Sequence, residues 1–298
     1  METRRALLVD AFAQEPLAGN VAGVVPDAEG LTRPQCQAIA RELGASETAF
    51  VLPSDRADRR LRFFTPTTEV DLCGHATVAS HALLAAEGLL ATGDHTVETA
   101  AGVLDVAVEA DGTVWMAQPA PEVRAVGVSV EAVAAALGLD PAVVEDVGLP
   151  LRRASTGVPF LVVPVDYLSS LGRVDVDRDA LLACCEAADA LGVYAFTFDT
   201  LEGDASLHGR CFVAPLGIDE DPVTGTASGA VGAYLEAVGA FAPLPEELTF
   251  EQGDFVDRPG RVRVRVDGPW VRVGGRAVVA LDGELRVPTV EDGDIIEA

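Results

Sequence analysis

GHATVASHALLAAEG, residues 74–88, returns as GTASGAVGAYLEAVG, residues 225–239, at an offset of 151 in a chain of 298 residues. Seven of the fifteen positions match: Gly74/Gly225, Ala76/Ala227, Ala79/Ala230, Ala82/Ala233, Leu84/Leu235, Ala86/Ala237 and Gly88/Gly239. An offset near half the chain is what a duplicated domain leaves behind. Two alanine-rich helices would agree in part by composition alone, but composition does not match both terminal glycines. A fainter echo pairs Val24-Val25-Pro26 with Val162-Val163-Pro164, and each repeat follows a strand-like piece ending in proline, LRFFTP to Pro66 and RCFVAP to Pro215.

Both repeats read as helices, with a glycine where the residue after the C-cap falls. Helices of Ala, Gly, Ser and Thr bury little area themselves but let neighbours approach closely, so these two are meant to be enclosed. The chain around them is strand-like. Val97, Leu104, Val106 and Val108 lead to the Asp111-Gly112 turn and on to Val114–Met116, a hairpin signature. Val262, Val264 and Val266 alternate with arginines before Asp267-Gly268, and Val271, Val273 and 277–281 follow. Peripheral helices are expected at 34–43 after Thr32, 130–137 after Ser129, and 178–191. The architecture that results is α+β: two pseudo-symmetric halves, each a sheet or barrel-like wrap around one central helix. The prolines of QPAPE place the boundary at 118/119, giving halves of 1–118 and 119–278, with a last strand, about 279–298, open to return to the first half.

Composition narrows the function classes. The chain is 49% hydrophobic and 23% charged, has no run of 18 apolar residues, and shows no secretory signal after Met1, so a soluble, intracellular, cytoplasmic protein is expected. Five cysteines, two of them adjacent at 184 and 185, suit thiols better than a disulfide framework. There are 47 acidic and 21 basic residues, a net charge of -26, and no lysine. A field of that sign argues against nucleic-acid and membrane partners. It is also expected of a halophilic-type proteome, where salt screens self-repulsion. A GC-rich genome would account for the missing lysine but not for the acid excess.

Helix N-termini carry unpaired N–H groups and partial positive charge. If the two central helices begin at a common cleft, Gly74, His75 and Ala76 face Gly225, Thr226 and Ala227 across it, and a small anionic substrate finds donors on both walls. Such donors suit the oxyanion that forms when a carbon acid loses a proton. Three ionisable residues attend these starts: His75 in GHAT, Asp221 four before Gly225, and Glu47 in SETAF, between a helix ending at Gly44 and a strand at 49–52. Singly, each has an ordinary explanation as a loop acid, a turn residue or a structural histidine. Together they could form a proton shuttle with two partners. No metal constellation is visible, since His75 and His81 are six apart and neither paired cysteines nor HExxH occurs. TGTASGAVG lacks both the lysine of a phosphate loop and the GxGxxG spacing. No cofactor and no metal are expected.

With VDAFAQEPLAGNVAGVV (9–25), SETAFVLP (46–53), LRFFTPTTEVDLCGHAT (61–77), STGVPFLVV (155–163) and RCFVAPLGIDEDPVTGTASG (210–229) in order, the chain resembles the phenazine-biosynthesis PhzF-like family, of diaminopimelate-epimerase-type fold. The resemblance implies an isomerase in which Glu47 shuttles a proton within a small unsaturated acid without metal or organic cofactor. It makes His75 and Asp221 catalytic partners, and Ser46, Gly74 and Thr226 substrate contacts, with Asn20 a further candidate. It also implies a homodimer. Thr226 stands where family members often carry serine. Cys73 opens another reading: epimerases of this fold use one cysteine before each central helix, but Thr224 holds the second place here. A hydroxyl cannot replace a thiol as acid/base near neutral pH, which disfavours a symmetric racemase and leaves a single-base dehydratase or epimerase of the hydroxyproline or amino-acid type as the alternative. A non-catalytic binding protein of the same fold also stays open.

Overall fold

A computed structural model describes residues 2–289, so residues 290–298 of the expected last strand lie outside the described residues. The chain divides into two compact units: unit 1 is Met1–Leu17, Val21–Met116 and Arg276–Ala298, and unit 2 is Ala18–Asn20 and Ala117–Gly275.

Unit 1 runs β1 (Thr3–Ala11), β2 (Asn20–Val25), α1 (Arg33–Leu43), β3 (Glu47–Leu52), β4 (Arg59–Phe64), β5 (Glu69–Val70), α2 (Gly74–Ala86), β6 (Gly93–Thr99), β7 (Gly102–Val108) and β8 (Val114–Ala117). Unit 2 follows with β9 (Glu122–Ala125), α3 (Val130–Ala136), α4 (Ala142–Glu145), β10 (Arg152–Ser155), β11 (Pro159–Pro164), α5 (Leu168–Leu171), α6 (Arg178–Ala188), β12 (Gly192–Thr197), β13 (Leu207–Val213), β14 (Ile218–Asp221), α7 (Gly225–Val238), β15 (Leu248–Gln252), β16 (Gly260–Asp267) and β17 (Trp270–Gly275). β18 (Ala277–Arg286) then returns to unit 1, antiparallel to β1.

The ladder repeats pair for pair. In unit 1 β2 is parallel to β3, β3 antiparallel to β4, and β4 antiparallel to β5 and parallel to β6. In unit 2 β11 is parallel to β12, β12 antiparallel to β13, and β13 antiparallel to β14 and parallel to β15. Each series closes on an antiparallel meander, β6-β7-β8 and β15-β16-β17. The duplication seen in two helices therefore extends to whole units of an α+β fold.

Each unit encloses its central helix. In α2 every residue from Ala76 to Leu84 is buried, and in α7 every residue from Ala227 to Leu235. Their small side chains let strands close in, and in α7 the fit leaves no slack. A methyl added at Gly232 would stand 2.6 Å from Val264 Cγ1, and one at Gly229 would stand 3.0 Å from Val273 Cγ1.

Two peripheral helices start as their caps foretell: Thr32 forms a capping box with Gln35, and the Ser129 side chain accepts from Ala132 N. The third is capped by Asp177, which the sequence reading did not name and whose side chain accepts from Ala180 N. Two expectations shift. The third helix ends at Ala188 rather than 191, because Asp189 turns left-handed (φ 50°) while its main-chain oxygen accepts from Arg153 and its carboxylate from Arg124. β3 begins at Glu47 rather than 49, because Glu47 already pairs with Ala22 in the parallel ladder.

Candidate active site

In unit 1 α1 stops on left-handed Gly44 (φ 67°), and the chain turns through Ala45 and Ser46 into β3, which Glu47 opens. Glu47 is thus a strand residue with its side chain 25% exposed, not a loop acid. α2 is capped by Cys73 in extended conformation, without a side-chain capping bond, and His75 is its second residue. Three side chains converge on the imidazole. Glu47 Oε2 lies 3.5 Å from His75 Nε2, Ser46 Oγ 3.3 Å from the same nitrogen, and Cys73 Sγ 3.4 Å from Nδ1. A carboxylate at one ring nitrogen and a thiol at the other is an arrangement able to relay a proton, with Glu47 exposed enough to meet a substrate. A methyl at Gly74 would meet nothing within 4 Å, so open space stands beside the first amides of α2. Ala76, the next residue of α2 after His75, is wholly buried.

Unit 2 holds the second group. Asn20 Nδ2 donates to Asp221 Oδ1 (3.0 Å) and to the carbonyl of Val223 (2.8 Å), while Thr224 Oγ1 donates to Asp221 Oδ2 at 2.5 Å. Gln252, fully buried at the end of β15, accepts from Thr224 N and donates to Asp221 O and Thr224 Oγ1. Both oxygens of Asp221 and both amide hydrogens of Asn20 are therefore occupied in fixing the turn into α7. Thr226 accepts from the Thr156 hydroxyl through its main-chain oxygen, and Ala227, like Ala76, is buried. The fold brings Ser46, Glu47, Gly74 and His75 together in one unit and Asn20, Asp221, Gly225 and Thr226 in the other.

Sequence reading missed Gln252, whose EQGD context carries no signal. It also missed a clamp ahead of each central helix. Arg62 grips Glu69 at 2.7 and 3.0 Å, and Arg210 grips Glu220 at 3.0 and 2.6 Å. Each guanidinium also stacks 5.1 Å from the ring two residues on, Phe64 or Phe212. The Arg62 guanidinium, outweighing partial burial, holds the Glu69 carboxyl below its ordinary range. Glu69 and Glu220 each stand five residues before the helix glycine, so extending the repeat upstream would have found them.

Equivalent pairing then aligns the units residue by residue. Phe64 pairs with Thr48 where Phe212 pairs with Val193, so the position of Glu47 corresponds to Gly192. A methyl at Gly192 would fall 2.6 Å from the carbonyl oxygen of Phe212, so unit 2 has no room for a side chain there. Likewise Cys73, His75 and Val70 correspond to Thr224, Thr226 and Asp221.

Among the described residues, Glu47, Cys73 and His75 also place one potential ligand atom each within 4.8 Å of one another, a set that no local spacing announces. All five cysteines are buried and none is in a disulfide. No helix among the described residues is long and apolar enough to cross a membrane.

The family model "Phenazine biosynthesis-like protein" matches residues 9–283. "Uncharacterized isomerase YfhB" of Bacillus subtilis is 36% identical over 289 residues, covering 95% of this chain and 96% of the relative. The trans-2,3-dihydro-3-hydroxyanthranilate isomerase of Pseudomonas aeruginosa is 32% identical over 277 residues, covering 90% and 92%. Among solved structures, a Bacillus anthracis phenazine biosynthesis protein of the PhzF family superposes with a TM-score of 0.87 at 37% identity, over 96% of this chain and all of that one (100%). A hydroxyproline epimerase from Agrobacterium vitis, at 15% identity, a TM-score of 0.59 and coverage of 95% and 92%, shares the fold. A duplicated α+β fold, a Glu–His pair at the start of one central helix and sequence likeness from end to end lead to one conclusion: the chain belongs to the phenazine-biosynthesis-like PhzF family of isomerases.

Proposed function

We propose that the protein moves a proton between two carbons of a small unsaturated carboxylic acid, with Glu47 as the single general acid/base and no metal or organic cofactor. Glu47 takes the proton from a carbon next to the unsaturation, and the electron pair spreads into an enolate-like anion. The same carboxyl, after exchanging its proton with water, delivers one at another carbon, so bonds and electrons balance without oxidant or co-reactant. His75 fixes and polarises Glu47 through Nε2. Main-chain N–H groups at Gly74 and Ala76 meet developing negative charge, with Ser46 beside them. Asp221, held by Asn20 and Thr224, keeps the start of α7 in shape, where Gly225, Thr226 and Ala227 offer amides to a carboxylate.

The observation that carries this reading is the inequality of the two units. Glu47 lies 3.5 Å from His75, while the equivalent place in unit 2 is Gly192, closed by the Phe212 carbonyl. A racemase attacking both faces of a carbon needs two bases, whereas a proton shift along one face needs one. The Pseudomonas relative is named for a small cyclic unsaturated amino acid, and substrates of that chemical class are proposed here.

The test is a set of small unsaturated, amino and hydroxy acids incubated in deuterated water. We expect one deuteron at carbon per turnover for a member of the set, and Glu47→Gln to slow this by about 10²- to 10⁴-fold. Full exchange in Glu47→Gln, or none by the wild type across the set, rejects the proposal. One contact favours a second reading, the 3.4 Å approach of Cys73 Sγ to His75 Nδ1. If Cys73 were the base of a dehydratase or epimerase, Cys73→Ser would abolish turnover and Glu47→Gln would spare it.

A further inference from the structure

We propose that Glu47, Cys73 and His75 form a binding site for a thiophilic divalent cation, Zn²⁺ or Co²⁺, and that its occupation switches the isomerase off by taking the catalytic carboxylate as a ligand. The inhibition rests on the role assigned to Glu47 above, whereas the binding does not.

The donor set is one carboxylate oxygen, one imidazole nitrogen and one thiol, the mixed set that zinc prefers at sites with an open fourth position. The separations suit it. With Zn–N and Zn–O near 2.0–2.1 Å and Zn–S near 2.3 Å, the edges of a tetrahedron are about 3.3 Å for N···O and about 3.6 Å for N···S. His75 Nε2 stands 3.5 Å from Glu47 Oε2 and 3.9 Å from Cys73 Sγ, and because Sγ lies nearer Nδ1, at 3.4 Å, the imidazole must turn about its Cβ–Cγ bond to share one ion with both. The remaining pair, sulfur to carboxylate oxygen, lies within 4.8 Å and closes by rotation of the Glu47 side chain. Cys73 is the N-cap of α2, His75 its second residue and Glu47 the first residue of β3, so the backbone positions of the donors are set and only side-chain rotation is left to the metal.

Access and charge agree with the geometry. The Glu47 and His75 side chains are 25% and 13% exposed, open enough to admit an ion and closed enough to shed its water. A chain of net charge -26 raises the local concentration of cations. The metal would displace the thiol proton, gaining an anionic sulfur beside an anionic carboxylate, and would leave a fourth position to water or to a substrate carboxylate. Cys73 is itself buried, at 8% exposure, but Cys36, Cys184, Cys185 and Cys211 are at most 5% exposed, and burial pushes their thiols up.

The test is titration of the full chain with Co²⁺ alone at neutral pH, read by the thiolate-to-cobalt charge-transfer band and the visible bands of tetrahedral cobalt, with Zn²⁺ as the displacing ion. One equivalent of cobalt, both bands, and their loss on adding Zn²⁺ are expected. Cys73→Ser should abolish the charge-transfer band. Glu47→Gln should keep it but raise Kd at least about tenfold. No band at millimolar cobalt, or a band that survives in Cys73→Ser, overturns the site. Deuterium exchange followed in the same titration separates the two claims. Bands without loss of exchange refute the inhibition and with it the role of Glu47, while exchange without bands refutes the metal site alone.

Discussion

Acidification should unfold unit 1 through a residue the chemistry never touches. His81 lies in the middle of α2, with no solvent exposure. Its Nδ1 donates to the carbonyl of Thr77 at 2.8 Å, and its Nε2 is buried with no hydrogen-bond partner among the described residues. Desolvation is the main influence on the ring, only partly offset by the Thr77 carbonyl, and it drives the pKa from 6.5 down to about 4. A histidine that resists protonation when folded leaves the unfolded chain binding more protons below pH 6.5. Stability from this group is therefore complete above that pH and lost as pH falls towards about 4. The linkage relation gives a loss of about 2 kcal/mol by pH 5 and about 3 kcal/mol at the acid limit. His81→Asn keeps a donor near Nδ1 and removes the titration, at a cost of about 1–2 kcal/mol for the missing ring atoms. Urea unfolding at pH 8, 7, 6 and 5 should show the wild type more stable at pH 8 and the gap closing or reversing by pH 5. A gap that stays constant, or widens in acid, would refute the argument. Because α2 also carries Cys73 and His75, exchange activity should fail along the same curve.

The threonine before α7 offers a second check. Thr224→Val removes the donor to Asp221 Oδ2 and a partner of Gln252, which should cost about 2 kcal/mol, while Thr224→Ser keeps both. Equal urea midpoints for the wild type and Thr224→Val would discard the positioning role. We also propose that the charge of -26 is a salt adaptation. At about 1 M potassium chloride screening reaches within about 3 Å, so the melting temperature should rise, and a flat or falling curve would end that reading.

What was legible in the sequence was local. Caps at Thr32 and Ser129, the hairpin turn at Asp111-Gly112 and small-residue helices at 74 and 225 are each written within a few neighbouring residues. What stayed hidden was pairing over distance. Glu47 joins β3 because Ala22, on a parallel strand, is there to receive it. The two arginine clamps escaped because the repeat changes offset between its parts. Arg62 to Arg210 is 148 residues and Glu69 to Glu220 is 151, the difference arising from the longer link through Ala214–Leu216 in unit 2. Glu47 and Cys73 are 26 residues apart, so no short motif could join them.

A duplicated fold supplies two helix starts, two clamps and two small-residue helices, and symmetry alone would also supply two equal bases. The chain departs from symmetry at the positions proposed to carry the chemistry while keeping it at the structural ones. The Arg–Glu–Phe clamp is retained in both units, and the strand ladders repeat. Yet Glu47 faces a counterpart with no side chain, Cys73 and His75 have threonine counterparts, and Asp221 has Val70. The Phe212 carbonyl accounts for glycine at 192, while the strand ladders repeat around the other positions. The substitutions there follow if one unit holds the proton and the other shapes the start of its helix for an anion. Restoring a side chain at Gly192 would not restore a second base, because the Phe212 carbonyl 2.6 Å from its first carbon forbids it. In the proposed mechanism a single base thus follows from the backbone of the second unit as much as from the side chain of Glu47 in the first.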